Sequence, residues 1–274
     1  MKVSTSEKMY RAIAYLIVTL VAISALFPLF YVVGMSMTTQ TEILQRGGFV
    51  IFPRKPTLAG YKQAITGITR PLLVSTIRTI FGTFLTLIMT TIGAYVCWRK
   101  TLPGRNFFIL MVLITILFHA SLIPNYLVIM NLGMLDTLWA LIIPGAVDSW
   151  GLLVIKQFFE GQPEELFDAA KVDGANEWQL MTRIAIPLAA PVLAAIGLFD
   201  AVGHWNAWFD ALMYISNTNL YPLQLVLRNL LLTSSGLLQS GGTGEATMLL
   251  IPESMRLSPD SMKMVVVVVS TLPI

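Results

Sequence analysis

The feature that most constrains this chain is a long apolar run without charges, from Ala12 to Met37. A helix needs about 20 mostly apolar residues to cross the hydrocarbon core of a bilayer, so this run predicts a transmembrane helix. Pro28 lies inside it, and a membrane helix tolerates proline when neighbours satisfy the freed carbonyl. Charged residues make up 12% of the sequence, against about 25% in soluble domains, which excludes a soluble globular protein.

Further apolar runs predict more spans. Four have sufficient length, at residues 79–98, 107–123, 138–155 and 188–215. The run 264–274 is too short to cross a bilayer by itself and is expected to be the beginning of a truncated sixth span. The sequence therefore predicts an all-α polytopic membrane protein with about six transmembrane helices, forming one transmembrane domain over residues 1–274.

Basic residues predict the orientation of these spans. The N-terminus carries Lys2, Lys8 and Arg11, and the loop after the second span carries Arg99, Lys100 and Arg105. Cytoplasmic loops are enriched in Lys and Arg, so we expect a cytoplasmic N-terminus. The segments 38–74 and 216–262 are then external, and 157–187 is cytoplasmic.

Five basic residues disagree with this orientation because they fall on the outer side: Arg54, Lys55, Lys62, Arg70 and Arg78. The short loops weigh more in the prediction, since long loops translocate largely regardless of charge.

The cytoplasmic segment contains a compact charged stretch, "EELFDAAKVDGANEWQLMTRIAIPLAAP". Pro163 suits a first helical position, and Glu164 and Glu165 suit the positive end of the helix dipole. Gly174 suits a left-handed helix end, and Asn176 can cap a second helix with Gln179 as its capping-box partner. The stretch predicts a helix–turn–helix at the cytoplasmic face, with a solvated connecting loop as the alternative.

Polar and aromatic residues also occur inside the fifth span. Asp200, His204 and Trp208 are spaced by four, which predicts one stripe on a helix, with Trp205 and Asn206 beside it. Ionisable groups in a membrane normally face a bundle interior or a watery cavity, and rings beside hydrogen-bonding groups suit sugars. The stripe is therefore a candidate substrate path. Interfacial Trp anchors and an Asp200–His204 clamp between helices are the alternatives, and His119 is expected to serve packing or an interface.

Enzymatic and nucleic-acid functions have no support in the sequence. The two histidines lie far apart, no H-E-x-x-H or G-x-S-x-G motif occurs, and Cys97 is the single cysteine. The net charge of +3 is too small to argue for nucleic acid. We therefore expect no catalytic residues, no metal site and no cofactor in this chain. An ion-coupled secondary transporter or channel that uses Asp148, Asp200 and His204 is the alternative to the transporter class described next.

The charged stretch resembles the EAA motif of permease subunits of binding-protein-dependent ABC importers. That motif has Glu-Ala-Ala, then Gly, then Ile-x-Leu-Pro, and this chain has 168–170 as Asp-Ala-Ala, Gly174, and 184–187 as Ile-Ala-Ile-Pro. Asp168 and Ile186 are its two departures. "SLIPNYLVIMNLGMLDTLWALIIPGAV" and "GHWNAWFDALMYI" are similar to sugar-importer permeases, in particular the second, maltose-type permease of the complex-carbohydrate and oligosaccharide branch.

The resemblance implies a type I (MetI-like) permease fold in a bacterial plasma membrane. It makes 157–187 a coupling helix that contacts an ATPase through Glu165, Asp168, Ala169, Ala170, Asp173, Gly174 and Pro187. It also implies five kinds of partner: a second homologous permease, two ATPase subunits that bind ATP and Mg, an external solute-binding protein, a carbohydrate and membrane lipid. No phosphate-binding loop occurs in this sequence, which agrees with ATP binding by a partner. Contact with the binding protein is expected at Ser240, Gly241, Gly242 and Thr243.

Overall fold

The computed structural model of the protein describes residues 5–47, 49–118, 121–236 and 260–271, and its regular elements are all helical. The α-helices are α1 (Thr5–Ser36), α2 (Gln40–Gln45), α3 (Ala59–Trp98), α4 (Arg105–Leu117), α5 (Leu122–Asn131), α6 (Trp139–Ile142), α7 (Ser149–Glu160), α8 (Glu164–Val172), α9 (Glu177–Leu180), α10 (Ile186–Leu188), α11 (Ala190–Asn206), α12 (Phe209–Tyr214), α13 (Leu223–Gly236) and α14 (Asp260–Thr271). Two 3₁₀ turns (Ile143–Gly145 and Thr218–Leu220) and one π-turn (Met181–Ala185) complete them. The predicted all-α class is confirmed.

The helices form two compact units, and the first contains residues 1–69 and 227–274. Within it α1 packs against α14, and a small cluster buries Met35, Ile43 and Val50. The hydroxyls of Ser36 and Tyr61 lie 2.7 Å apart, which joins the end of α1 to the beginning of α3. No residue of the most apolar window of α1 is buried within this chain, so its surface is available to lipid or to another subunit.

The second unit contains residues 70–226. Its core is apolar and aromatic, and joins the last turns of α3 to α7, α8 and the helices that follow. The ring centroid of Trp98 lies 4.7 Å from that of Phe167 and 5.8 Å from that of Phe159. Both phenylalanines are fully buried. The core therefore fixes α8 against the end of α3.

Two helical stretches among the described residues, Glu7–Ser36 and Gly67–Trp98, are each long and apolar enough to cross a membrane. Three bent pairs of helices reach that length when each pair is counted as one span, which gives up to five spans. The protein is thus a multi-pass membrane protein. The second span begins well before the predicted residue 79, and α2 and the first turns of α3 occupy part of the segment 38–74 that was predicted as a loop.

Several predicted spans are interrupted helices, which hydropathy does not reveal because it measures apolar length and not continuity. In the third predicted span, α4 ends at Leu117 and α5 begins only at Leu122. The fourth contains the 3₁₀ turn around Pro144, with a 42° bend between its two parts. The chain bends by 78° at Ala189, just before Pro191, because proline lacks the N–H that would continue a helix.

The aromatic core predicts a large effect of truncating Phe167. Phe167→Ala should destabilise the second unit by about 3–5 kcal/mol, since it removes a fully buried ring and leaves a cavity. The thermal unfolding midpoint of the purified permease in detergent measures this loss. Leu166→Ala is the matched control, because the neighbouring Leu166 side chain is exposed. Equal midpoints for the two variants would contradict the packing described for Phe167.

Candidate functional site

The charged stretch forms a hairpin of two helices, α8 and α9. Gly174 has φ of +83°, the left-handed conformation that ends α8. The side chain of Asn176 accepts the N–H of Gln179 at 2.9 Å, and the Gln179 side chain accepts the N–H of Asn176 at 2.9 Å. The predicted capping box is confirmed. Pro163, predicted as the first helical residue, precedes the helix as its N-cap because its ψ of 122° is not helical.

Six of the seven residues predicted to contact an ATPase are exposed and Ala170 is half-buried; five of the six lie on the hairpin, while Pro187 lies beyond it in α10. Exposed members are Glu165, Asp168, Ala169, Asp173, Gly174 and Pro187. The Asp168 carboxylate lies 3.0 Å from Nζ of Lys171, three residues along the same helix, and its side chain is 63% exposed. Val172 is 88% exposed, so an apolar side chain lies among these polar ones. Within the described chain this surface is open to a partner.

A second site follows one face of α3, where four polar side chains bind backbone groups on other elements. Leu223 N–H donates to Oγ of Ser75 at 2.8 Å. Thr86 Oγ1 donates to the carbonyl of Gly145 at 3.0 Å, and the N–H of Asp148 donates to Oγ1 of Thr90 at 3.0 Å. The fourth side chain is Arg78, described next. We call this face the polar face of α3 and define it by Ser75, Arg78, Gly82, Thr86 and Thr90.

Arg78 is buried and binds the C-terminal end of α11. Its Nη1 donates to the carbonyl of Ala207 and to Oδ1 of Asp210, both at 3.1 Å, and its Nη2 pairs with Oδ2 of Asp210. Ala207 has an extended backbone, so its carbonyl has left the helix, and α12 begins only at Phe209. Charge-assisted bidentate pairs are the strong ones, and the third bond occupies a carbonyl that the helix end leaves open.

The break at Ala207 changes the predicted stripe. Asp200 and His204 share a face of α11, but Trp208 lies beyond the end of that helix, so the prediction of one continuous stripe of three was wrong. His204 packs closely on α3, since a Cβ added at Gly82 would lie 2.6 Å from Nε2 of His204. Trp205 is buried, Asn206 is exposed, and Trp208 is half-buried. The Asn206 side chain accepts a hydrogen bond from Gln224 at 3.3 Å.

Asp148 lies at a break rather than inside a helix. It is the N-cap of α7, and its carboxylate accepts the N–H groups of Trp150 at 3.1 Å and Gly151 at 2.7 Å. The nearby Asp200 has one buried carboxylate oxygen, Oδ2, without a hydrogen-bond partner in the structure. Asp148 therefore serves as a helix cap, which explains a charge in this span without an ion-coupling role.

Sequence reasoning missed the ion pairs between elements, and those of Arg78 and Arg99 bear on the site. Arg78 was counted among the basic residues of the outer side. The signal for its burial was that it stands in one apolar stretch while the acidic Asp210 stands in another apolar stretch. Arg99, counted only for orientation, pairs with Glu177 on α9.

The described residues contain no group of three or more metal-ligating side chains. His119 and the predicted contact at Ser240, Gly241, Gly242 and Thr243 lie outside the described residues.

Comparison with known proteins supports one family. No family model matches the chain. The protein LplC of Bacillus subtilis is 39% identical over 251 residues, which is 91% of this chain and 82% of that protein. The polygalacturonan/rhamnogalacturonan transport system permease protein YtcP of the same species is 32% identical over 273 residues, covering 98% of this chain and 92% of that protein.

A solved structure agrees with these relatives. The crystal structure of a bacterial ABC transporter involved in the import of the acidic polysaccharide alginate contains a chain that matches with a TM-score of 0.85 and 26% identity, over 100% of this chain and 95% of that one. The chain belongs to the family of permease subunits of carbohydrate ABC importers. It is a transport subunit and not an enzyme, and the alternative of an ion-coupled secondary transporter or channel is set aside.

The pair of Arg78 and Asp210 predicts a non-additive response to mutation. Arg78→Met leaves the partly exposed carboxylate of Asp210 without its cation and should cost about 3 kcal/mol, the low end for breaking a buried pair, whereas Arg78→Met combined with Asp210→Leu should recover part of that loss. The residual loss, about 1–3 kcal/mol, comes from the carbonyl of Ala207 that then lacks a donor.

Thermal midpoints of the purified complex in detergent measure both variants. Arg70→Met is the matched control, because Arg70 is exposed and its Nε donates to the carbonyl of Asn219 at 3.0 Å. The assignment of a buried pair is wrong if the double variant is no more stable than the single one.

Proposed function

We propose that this permease passes an oligosaccharide from an external binding protein to the cytoplasm of a bacterial cell. It works beside a second, homologous permease, and two ATPase subunits supply the energy by hydrolysing ATP with Mg. The oligosaccharide class is supported by the relatives, since polygalacturonan/rhamnogalacturonan and alginate are the polymers named for two of them. In this assignment the plasma membrane contains the chain, with its N-terminus in the cytoplasm.

The positions of two basic residues in the structure reduce the conflict between the outer basic residues and this orientation. Five basic residues fall on the outer side, but Arg78 is 3% exposed and neutralised by Asp210, and Arg70 lies within the span Gly67–Trp98. The positive-inside rule concerns Lys and Arg in loops and next to span ends, and an arginine paired inside a span adds no net charge to a loop. Arg54, Lys55 and Lys62 remain in the external segment and count against this orientation.

The observation that carries the coupling role is the exposed outer surface of the α8–α9 hairpin. Small Ala169, apolar Val172 and acidic Asp168 share it, and the described chain leaves them uncovered. An apolar side chain among small and charged ones is suited to a groove on a partner, where burial of Val172 would be favourable. In the proposal, this surface docks on an ATPase, and Asp168 exchanges Lys171 for a basic residue of the partner.

The proposed substrate path runs beside the broken end of α11. Asp200, His204 and Asn206 offer hydrogen-bonding groups, and Trp205 and Trp208 offer rings next to them. Sugars present both hydroxyls and apolar C–H faces, so this combination is suited to them. The break at Ala207 supports the assignment, since irregular backbone at membrane depth is tolerated where protein or a water-filled cavity surrounds it.

Substrate class can be tested on the whole importer in nanodiscs. Its ATPase activity is measured with the external binding protein preincubated with oligogalacturonides, oligoalginates, arabino-oligosaccharides or the corresponding monosaccharides. We expect at least one oligosaccharide to stimulate hydrolysis, and no monosaccharide to do so. Stimulation by monosaccharides alone would refute the oligosaccharide assignment.

The exposed hairpin surface predicts that added bulk blocks docking without unfolding the chain. Ala169→Trp should greatly reduce copurification of the ATPase and sugar-dependent hydrolysis, because residue 169 is exposed and a large ring there prevents close approach. Asn106→Trp, also at an exposed position, is the control for bulk alone. Wild-type copurification of the ATPase with the Ala169→Trp variant would exclude the hairpin as its docking site.

The external partner is proposed to contact residues 234–247, centred on Ser240, Gly241, Gly242 and Thr243. This proposal rests on the sequence, because a long polar, Gly-rich connection between spans is usually functional or disordered. Deleting residues 238–244 should reduce stimulation of the ATPase by loaded binding protein and preserve basal hydrolysis and assembly. If stimulation is unchanged in the deletion variant, the segment is only a connection.

A further inference from the structure

Arg99 lies at the end of α3, where it contacts both helices of the hairpin. Its guanidinium carbon is 5.1 Å from the ring centroid of Tyr95, 4.8 Å from that of Trp98 and 5.9 Å from that of Phe167. Tyr95 and Trp98 belong to α3, and Phe167 belongs to α8. A cation over several aromatic faces is attracted by each ring, and more strongly when it is partly desolvated. The side chain of Arg99 is only 15% exposed.

Glu177 connects the same guanidinium to the second helix of the hairpin. Nε of Arg99 donates to Oε2 of Glu177 at 2.8 Å, and the hydroxyl of Tyr95 donates to the same oxygen at 2.8 Å. Glu177 is the first residue of α9, where the helix dipole favours a carboxylate. Arg99 and Tyr95 of the α3 end are therefore bonded to α9, while the rings bind α8. We call the set Tyr95, Trp98, Arg99, Phe167 and Glu177 the α3–hairpin joint.

The neighbouring pair of Lys100 and Glu164 differs from the joint. Nζ of Lys100 lies 3.2 Å from Oε2 of Glu164, but both side chains are largely exposed and no ring covers them. Exposed pairs of this kind contribute about 0–1 kcal/mol. Lys100 and Arg99 are adjacent in sequence and both reach the hairpin, so Lys100 provides a natural control for charge without stacking.

Farther along the same helix, side chains bind the breaks in two other spans. Along its polar face, Arg78 binds the end of α11, Thr86 binds the 3₁₀ turn before α7, and Thr90 binds the N-cap of α7. Residues 70–98 form one uninterrupted helix within the second unit. A displacement of the hairpin that moves the α3 end must therefore also move side chains that hold the broken spans beside the candidate sugar path.

We propose that Arg99 is a positioning residue of the transport cycle, which couples movement of the hairpin to α3 and through it to the broken spans. The physical basis is an unbroken series of contacts from α8 and α9, through the joint, to Ala207 and the following Trp208. This inference rests on the proposed coupling role of the hairpin. It goes further in naming the element that carries the movement and the residue that attaches it.

The test measures how fast a cysteine placed beside the candidate sugar path reacts with a maleimide in the complete importer. Cys97 is the single cysteine of this chain, so Cys97→Ser with Asn206→Cys gives one reporter thiol at an exposed position of the candidate path, provided that the partner subunits lack reactive cysteines. Trp208→Cys serves as a second reporter. The labelling rate with a membrane-impermeant maleimide is compared between the nucleotide-free complex and the complex trapped with ATP and vanadate.

With Arg99 present, we expect trapping to change the labelling rate severalfold. Arg99→Gln should remove this difference while the ATPase still binds and hydrolyses ATP, because the charge and its stacking are lost. Arg99→Lys should give an intermediate response, since an ammonium keeps the charge but not the planar fork. Glu177→Gln, which still accepts both hydrogen bonds, and Lys100→Ala should retain most of it.

The outcomes distinguish the role of Arg99 from the coupling role of the hairpin. A full nucleotide response in the Arg99→Gln complex would overturn the role of Arg99 and leave the coupling role of the hairpin intact. No response at either reporter in the parent complex would overturn the coupling role itself. If Arg99→Gln does not assemble, Glu177→Ala removes the same link from the hairpin side, and persistence of the response there is equally decisive against the joint.

Discussion

The fold of the second unit depends on hydrogen bonds between side chains of α3 and backbone groups at the ends of other helices. Within a bilayer, a backbone polar group without a partner costs several kcal/mol, so a span can be interrupted only where something replaces the lost helical bond. Ser75, Thr86 and Thr90 supply such bonds at three element ends, and Arg78 supplies one at a fourth. The breaks at Gly145, Asp148 and Ala207 are therefore held in place by the polar face of α3.

At its other end, α3 meets a different kind of interaction. The core around Trp98 and Phe167 is aromatic and closely packed, and the Arg99 guanidinium lies on its edge. Directional bonds to backbone atoms define where the spans break, whereas ring packing defines how the hairpin is attached. The first arrangement holds backbone groups at fixed positions, and the second joins the α3 end to α7 as well as to the hairpin, because Trp98 contacts both Phe159 and Phe167.

Local signals were sufficient for much of this structure. Gly174 and the Asn176–Gln179 capping box were identified correctly because each depends on residues at most three positions apart. Hydropathy found apolar stretches but not their breaks, since whether Ala207 leaves a helix is decided by Arg78 on another element. That pairing is 132 residues distant in sequence, and no local pattern contains it. The same break explains why Trp208 does not continue the stripe of Asp200 and His204.

The separation of Arg78 from Asp210 has a consequence for biogenesis. Ribosomes add about 5–20 residues per second, so the 132 residues between the two charges take on the order of ten seconds to synthesise. During that interval the guanidinium has no carboxylate and the α11 break does not yet exist, although the α3 segment has already left the ribosome. A lone arginine at membrane depth is costly, so we expect α3 to stay in the translocon or near the lipid headgroups until its later partners arrive. We therefore expect insertion of this permease to be complete only after Asp210 has been synthesised, and a chain interrupted before Asp210 to contain an unneutralised cation in an otherwise apolar helix.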